Sequence, residues 1–129
     1  MDNTRKWIED PLPSNCPPND AIIPNHVEFY RLVETIPPTK EDFFSVFKLY
    51  PEKELLKSID ECIQRSCTLF STLKDCDTIR KLPNFKTKII IKITLPPECG
   101  LIKRTFKRPN HYSWWMTNGF DPVKYCKEE

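Results

Sequence analysis

The sequence predicts a single α+β domain, a mostly antiparallel sheet packed by two or three helices. Three observations lead there. Over residues 87–95, Ile89, Ile91, Ile93 and Leu95 fall on one side of an extended chain, and Lys88, Ile90, Lys92 and Thr94 on the other. That alternation is the mark of a strand with one face to bury. Leu55, Leu56, Ile59, Cys62 and Ile63 recur at helical spacing, with Glu52, Lys53, Lys57, Asp60 and Glu61 turned away. The chain is 129 residues long, the size of one domain able to bury a core without staples.

The elements follow in order. Residues 1–25 carry Pro11, Pro13, Pro17, Pro18 and Pro24 and predict an extended arm, because proline fixes φ and lacks a donor. Trp7 and Ile8 are the residues to anchor that arm on the domain, which occupies 26–129. Residues 27–33 form a strand with Val27, Phe29, Arg31 and Val33 on one face and Glu28, Tyr30 and Leu32 on the other. Arg31 interrupts an apolar stripe, so its guanidinium needs either a carboxylate partner or a cleft that holds an anion.

Pro37-Pro38 stops that strand. Thr39 caps a short helix with Asp42 at its third position and Phe43, Phe44 and Phe47 on its apolar side. Pro51 opens a second helix running to about Gln64. Residues 66–71 read as a short strand. Thr72 caps a third helix, 73–81, with Leu73, Cys76 and Ile79 inward, and Pro83 closes it. The upstream helices are expected to cover the isoleucine stripe. Residues 96–100 form a turn into a return strand, 101–106, and an antiparallel pair of these two neighbours is the simplest arrangement. A turn at 107–110 leads to a strand over 111–116, and Asn118-Gly119 marks the turn after it.

Composition narrows the function. A net charge of +2 argues against a broad nonspecific grip on nucleic acid. Two glycines against thirteen prolines rule out a glycine-rich phosphate loop. The first ten residues hold no apolar run, and no stretch approaches the ~18 apolar residues of a membrane span. A cytoplasmic protein is the expectation. With it go reduced, mostly buried states for Cys16, Cys62, Cys67, Cys76, Cys99 and Cys126. There is no Cys-x-x-Cys, and with only His26 and His111 to help, no metal site is predicted.

The chemistry concentrates in Lys103, Arg104, Lys107 and Arg108, followed by His111, Tyr112, Ser113, Trp114 and Trp115. Cations beside aromatics hold phosphates and stack bases. On a strand, His111, Ser113 and Trp115 point one way and Tyr112, Trp114 and Met116 the other. Arg31, Arg104, Arg108, His111, Ser113 and Trp115 are therefore the candidate lining of a cleft for a nucleotide-like, phosphate-bearing ligand. The plainer alternative is that the tryptophans complete a core and the basic run is a solvated turn. Ser113 lacks a glycine-flanked elbow and a placed acid, which disfavours a serine hydrolase. Cys67 and Cys99 stay open as nucleophiles.

Arg31-Leu-Val, residues 36–43 (Ile-Pro-Pro-Thr-Lys-Glu-Asp-Phe), residues 67–75, residues 88–95 with Gly100-Leu-Ile-Lys, and His111-Tyr-Ser-Trp-Trp resemble a set of small bacterial proteins of uncharacterised function. The likeness covers about residues 27–116. More faintly, Arg31 and residues 66–71 resemble the first two motifs of ADP-ribosyltransferase-like folds. That resemblance implies an enzyme using NAD, with Arg31 on the pyrophosphate, but the third motif's glutamate has no counterpart in 111–115. A third class of function is a domain that docks a protein partner through an exposed tryptophan pair and the proline-rich arm.

Overall fold

The computed structural model describes residues 6–9, 12–45, 48, 61–105 and 110–129. Six strands build one antiparallel sheet: β1 (Val27–Val33), β2 (Cys67–Phe70), β3 (Ile89–Leu95), β4 (Gly100–Arg104), β5 (His111–Met116) and β6 (Cys126–Glu128). Their spatial order is β4-β5-β2-β1-β3-β6. Helix α1 is described over Glu61–Gln64 and α2 over Leu73–Arg80. The predicted α+β class holds, and β1, β3 and β5 fall where the alternation puts them. Most of the predicted helix from Pro51, and Phe47, lie outside the described residues.

The isoleucine strand β3 is interior, zipped to β1 from Val27↔Leu95 to Val33↔Ile89 and flanked by β6. The expected β3–β4 hairpin does not form. Strands β3 and β4 stand four places apart, and β4 lies at the far edge beside β5. Both sides of β3 are already taken, by β1 and by the polar tail that forms β6.

This topology forces the sheet to curl. In a flat sheet at ~4.8 Å per strand gap, β3 and β4 would be roughly 19 Å apart. Five Cα steps from Leu95 to Gly100 reach about 17 Å when fully extended. Pro97–Cys99 is a 3₁₀ turn, which advances only ~2 Å per residue, so the link spans much less. A second link imposes the same bend. Ile22 bridges to Ile102 on the outside of β4, and Val27, five steps on, pairs with Leu95 of β3.

The inside of the curl is the main core. Phe29, Val33, Cys67, Leu69, Ile91, Ile93, Leu95, Ile102, Trp114 and Met116 from five strands cluster there with Phe43, Cys99 and Phe120. Trp114 ties the bend by donating Nε1–H to the Cys99 carbonyl at 3.1 Å, and Phe120 meets its ring edge-on at 5.9 Å. Among the described residues, none of α1 or α2 joins this cluster. Phe43, Phe120 and Val123, from 3₁₀ turns and the loop after β5, pack there from outside the strands. Thr39 and Asp42 do cap a turn, with Thr39 N–H donating to the Asp42 carboxylate at 2.8 Å, but it is a single 3₁₀ turn, Lys40–Phe43.

Gly100 begins β4 at φ +134°, and a Cβ there would sit 2.0 Å from the Trp115 carbonyl oxygen. Only glycine allows this approach where the chain enters the edge strand.

Candidate functional site

Strand register decides which candidate residues meet. Tyr30 pairs with Phe70, and Phe70 with His111, so these three lie in one row on the outer face of the curl. Arg31 is one step along from Tyr30, and Tyr112 one step from His111. Both therefore face inward, and the Phe29 and Tyr112 rings confirm it at 4.9 Å. Arg104 pairs with Tyr112 and shares that inner face. His111, Ser113 and Trp115 occupy the outer one. The single hollow expected from the sequence is thus corrected into two sites, because adjacent residues of a strand point to opposite faces. Arg108 lies outside the described residues.

At the inner site, Arg31 is half-buried. Its Nε–H donates to the Asp42 carbonyl at 2.9 Å and its Nη1–H to the Thr68 carbonyl at 2.6 Å. No described carboxylate forms an ion pair with it. The Asp42 carboxylate is turned instead to the Glu34 and Thr39 amides. Its two acceptors are neutral, and among the described residues no group takes the other three of the five guanidinium donors. Arg104, three strands away, is exposed and also has no described ion-pair partner. On a flat sheet three gaps would separate the two by roughly 14 Å, and the curl shortens the span across its inside. Tyr112 stands between them.

On the outer face the side chains are closed on one another. The Thr105 hydroxyl lies 2.9 Å from His111 Nδ1 and 3.0 Å from Ser113 Oγ, all three buried. The Phe70 ring meets the His111 imidazole edge-on at 5.5 Å. Sequence reasoning placed His111 and Ser113 on one side but missed Thr105, whose hydroxyl joins them. Trp115 donates Nε1–H to the Cys62 carbonyl at 3.0 Å. Trp114 and Trp115 are 1% and 2% exposed, so the expected exposed tryptophan pair is corrected: both finish the interior.

The cysteines divide. Cys16 and Cys62 form a disulfide, correcting the expectation of six reduced thiols. The pair is 46 residues apart in sequence, and only the path of the arm brings the two together. Burial pushes the Cys67 thiol up to about 11, which keeps it protonated near neutrality. Cys99 is fully buried.

A small pocket lies where the arm crosses the body, lined by Trp7, Ile8, Glu9, Arg65, Cys67 and Trp115 among others. Its free space of about 10 Å³ is that of one water. No helix among the described residues is long and apolar enough to cross a membrane. No protein-family model, curated protein or solved structure matches this chain.

Proposed function

We propose that the protein binds a phosphate-bearing, nucleotide-like anion on the inner face of the sheet, between Arg31 and Arg104. The half-buried Arg31 guanidinium carries this reading. A half-buried cation with no described carboxylate beside it gains most from an anionic ligand, and its planar fork suits phosphate oxygens. Tyr112 supplies a ring between the two cations on which a base can stack. NAD is the dinucleotide to try first, in line with the resemblance of Arg31 and residues 66–71. Ribosyl transfer would need an acid, and β5 carries none, so the proposal stops at binding.

The experiment is a thermal-shift series with pyrophosphate, ATP and NAD. At least one should raise the Tm of the native chain. Arg104→Ala removes an exposed side chain with no described partner, so it should leave the unliganded Tm nearly unchanged and weaken the ligand by about tenfold. A native chain indifferent to all three anions, or an Arg104→Ala variant that responds as the native chain does, overturns the proposal.

A further inference from the structure

The segment Lys6–Glu9 sits on the body as a bound peptide would. Ile8 N–H donates to the Met116 carbonyl at 3.0 Å, and Asn118 N–H to the Lys6 carbonyl at 2.9 Å. Trp7 bridges antiparallel to Thr117. Ile8 packs against the main core. Glu9 ends the segment with its carboxylate held by both donors of one residue: Ser45 N–H at 3.0 Å and Ser45 Oγ–H at 2.5 Å. Lys48 and Arg65 add positive charge around it. Main-chain bonds, an apolar pair and a clamped acid are the parts of strand-addition peptide recognition.

The arm is not held by these contacts alone. Cys16 is bonded to Cys62 on α1, and the Cys62 carbonyl in turn receives Trp115, which lines the same pocket. The covalent tie sits between Glu9 and the next anchors of the arm, Asp20 with Lys103 and Ile22 with Ile102. With the tie cut, the nearest anchor lies eleven residues from Glu9 rather than seven, so the segment's effective concentration at its own groove falls by about twofold.

We propose that residues 6–9 are an internal stand-in occupying a peptide-docking groove. Its outside ligand is an extended segment of a partner protein with an aromatic, an aliphatic and an acidic residue in succession. The Cys16–Cys62 disulfide governs access. A dithiol reductant supplies two electrons and two protons, leaves thiols on Cys16 and Cys62, and becomes a disulfide itself. The arm then exchanges with the outside segment. This groove lies apart from Arg31 and Arg104, and its test does not depend on them.

The test uses the full chain and a fluorescein-labelled peptide containing Lys-Trp-Ile-Glu, read by anisotropy. The oxidised protein should bind it about twofold more weakly than the reduced protein does. The reduced protein and the Cys16→Ser variant should both bind, and a peptide with Ala in place of Glu should bind on the order of tenfold more weakly, since it has no side-chain acceptor for the two Ser45 donors. If Cys16→Ser fails to fold, the reduced native chain carries the same comparison. Equal binding by oxidised and reduced protein overturns the gate. Absence of binding to the reduced, folded protein overturns the groove. So does a reduced protein that dimerises and ignores the peptide, since the arm would then be exchanging with a second copy.

Discussion

The two sides of β1 are held in different ways. Toward β3, every residue from Val27 to Val33 has a partner, and the side chains beneath are Phe29, Val33, Ile91 and Ile93 in one apolar sheet. Toward β2, a single pair, Tyr30↔Phe70, makes the register. Beyond it the strands are joined by a side chain, Arg31 Nη1–H to the Thr68 carbonyl. A continuous ladder is cooperative and resists local opening. A seam closed by one pair and one guanidinium opens as a smaller unit. The polar residue that breaks the stripe of β1 thus also closes the gap in the ladder.

The largest effect should come from the zipped side. Ile93→Ala removes a fully buried aliphatic from the middle of the core. It should cost about 2–5 kcal/mol, read as a lower denaturant midpoint with an unchanged slope. Because the β1–β3 half is one cooperative body, amide exchange should accelerate across all of it together. Acceleration confined to the neighbours of Ile93 would mean that the ladder is less continuous than its register implies.

Arg31→Ala should cost less, about 1.5–3 kcal/mol, the worth of one bond to a charged group, because water can replace the guanidinium at part-buried carbonyls, and its signature should be local. Amides of Cys67–Phe70 should lose protection while those of Ile89–Leu95 keep theirs, as measured by native-state hydrogen exchange. If β3 amides exchange first, the seam is not where the sheet is weakest.

What the sequence made legible follows from what each signal encodes. Alternation is local, so β1, β3 and β5 are readable from their own residues, as is the division of His111 and Ser113 from Tyr112 and Trp114. Pairing is not local. Nothing in Pro96-Pro97-Glu98-Cys99-Gly100 says that it crosses a curl rather than closing a hairpin, because the two outcomes differ only in whether β3's second edge is already filled by a distant tail. The tail itself, Cys126–Glu128, has three polar-flanked residues and no pattern long enough to read as a strand. The common hollow failed for a related reason. The face of each strand was clear from its own sequence, but the relation between faces of β1 and β5 passes through the register of β2. One residue of register moves a side chain to the other face. The disulfide was hidden in the same way, since Cys16 and Cys62 become neighbours only when the arm folds back.

The smallest expected effect concerns the arm, a third way of holding an element, with neither a long ladder nor a large apolar face. Burial raises the Glu9 carboxyl above its ordinary value of 4.5, and this outweighs the Ser45 hydrogen bonds and the charges of Lys48 and Arg65, which act the other way. A carboxyl whose folded-state value is raised binds its proton more tightly in the docked arm than in the free one. Docking is therefore favoured as pH falls: the gain is complete below about 4.5, the free value, and is lost as pH rises through the raised one. The indole N–H resonance of Trp7, two residues away, should show more of the docked form as the oxidised protein is taken from neutrality toward that limit. Glu9→Gln has no proton to exchange and should flatten the dependence. A steeper response with Gln in place would assign the titration to another group and leave the arm held by its backbone bonds and its disulfide alone.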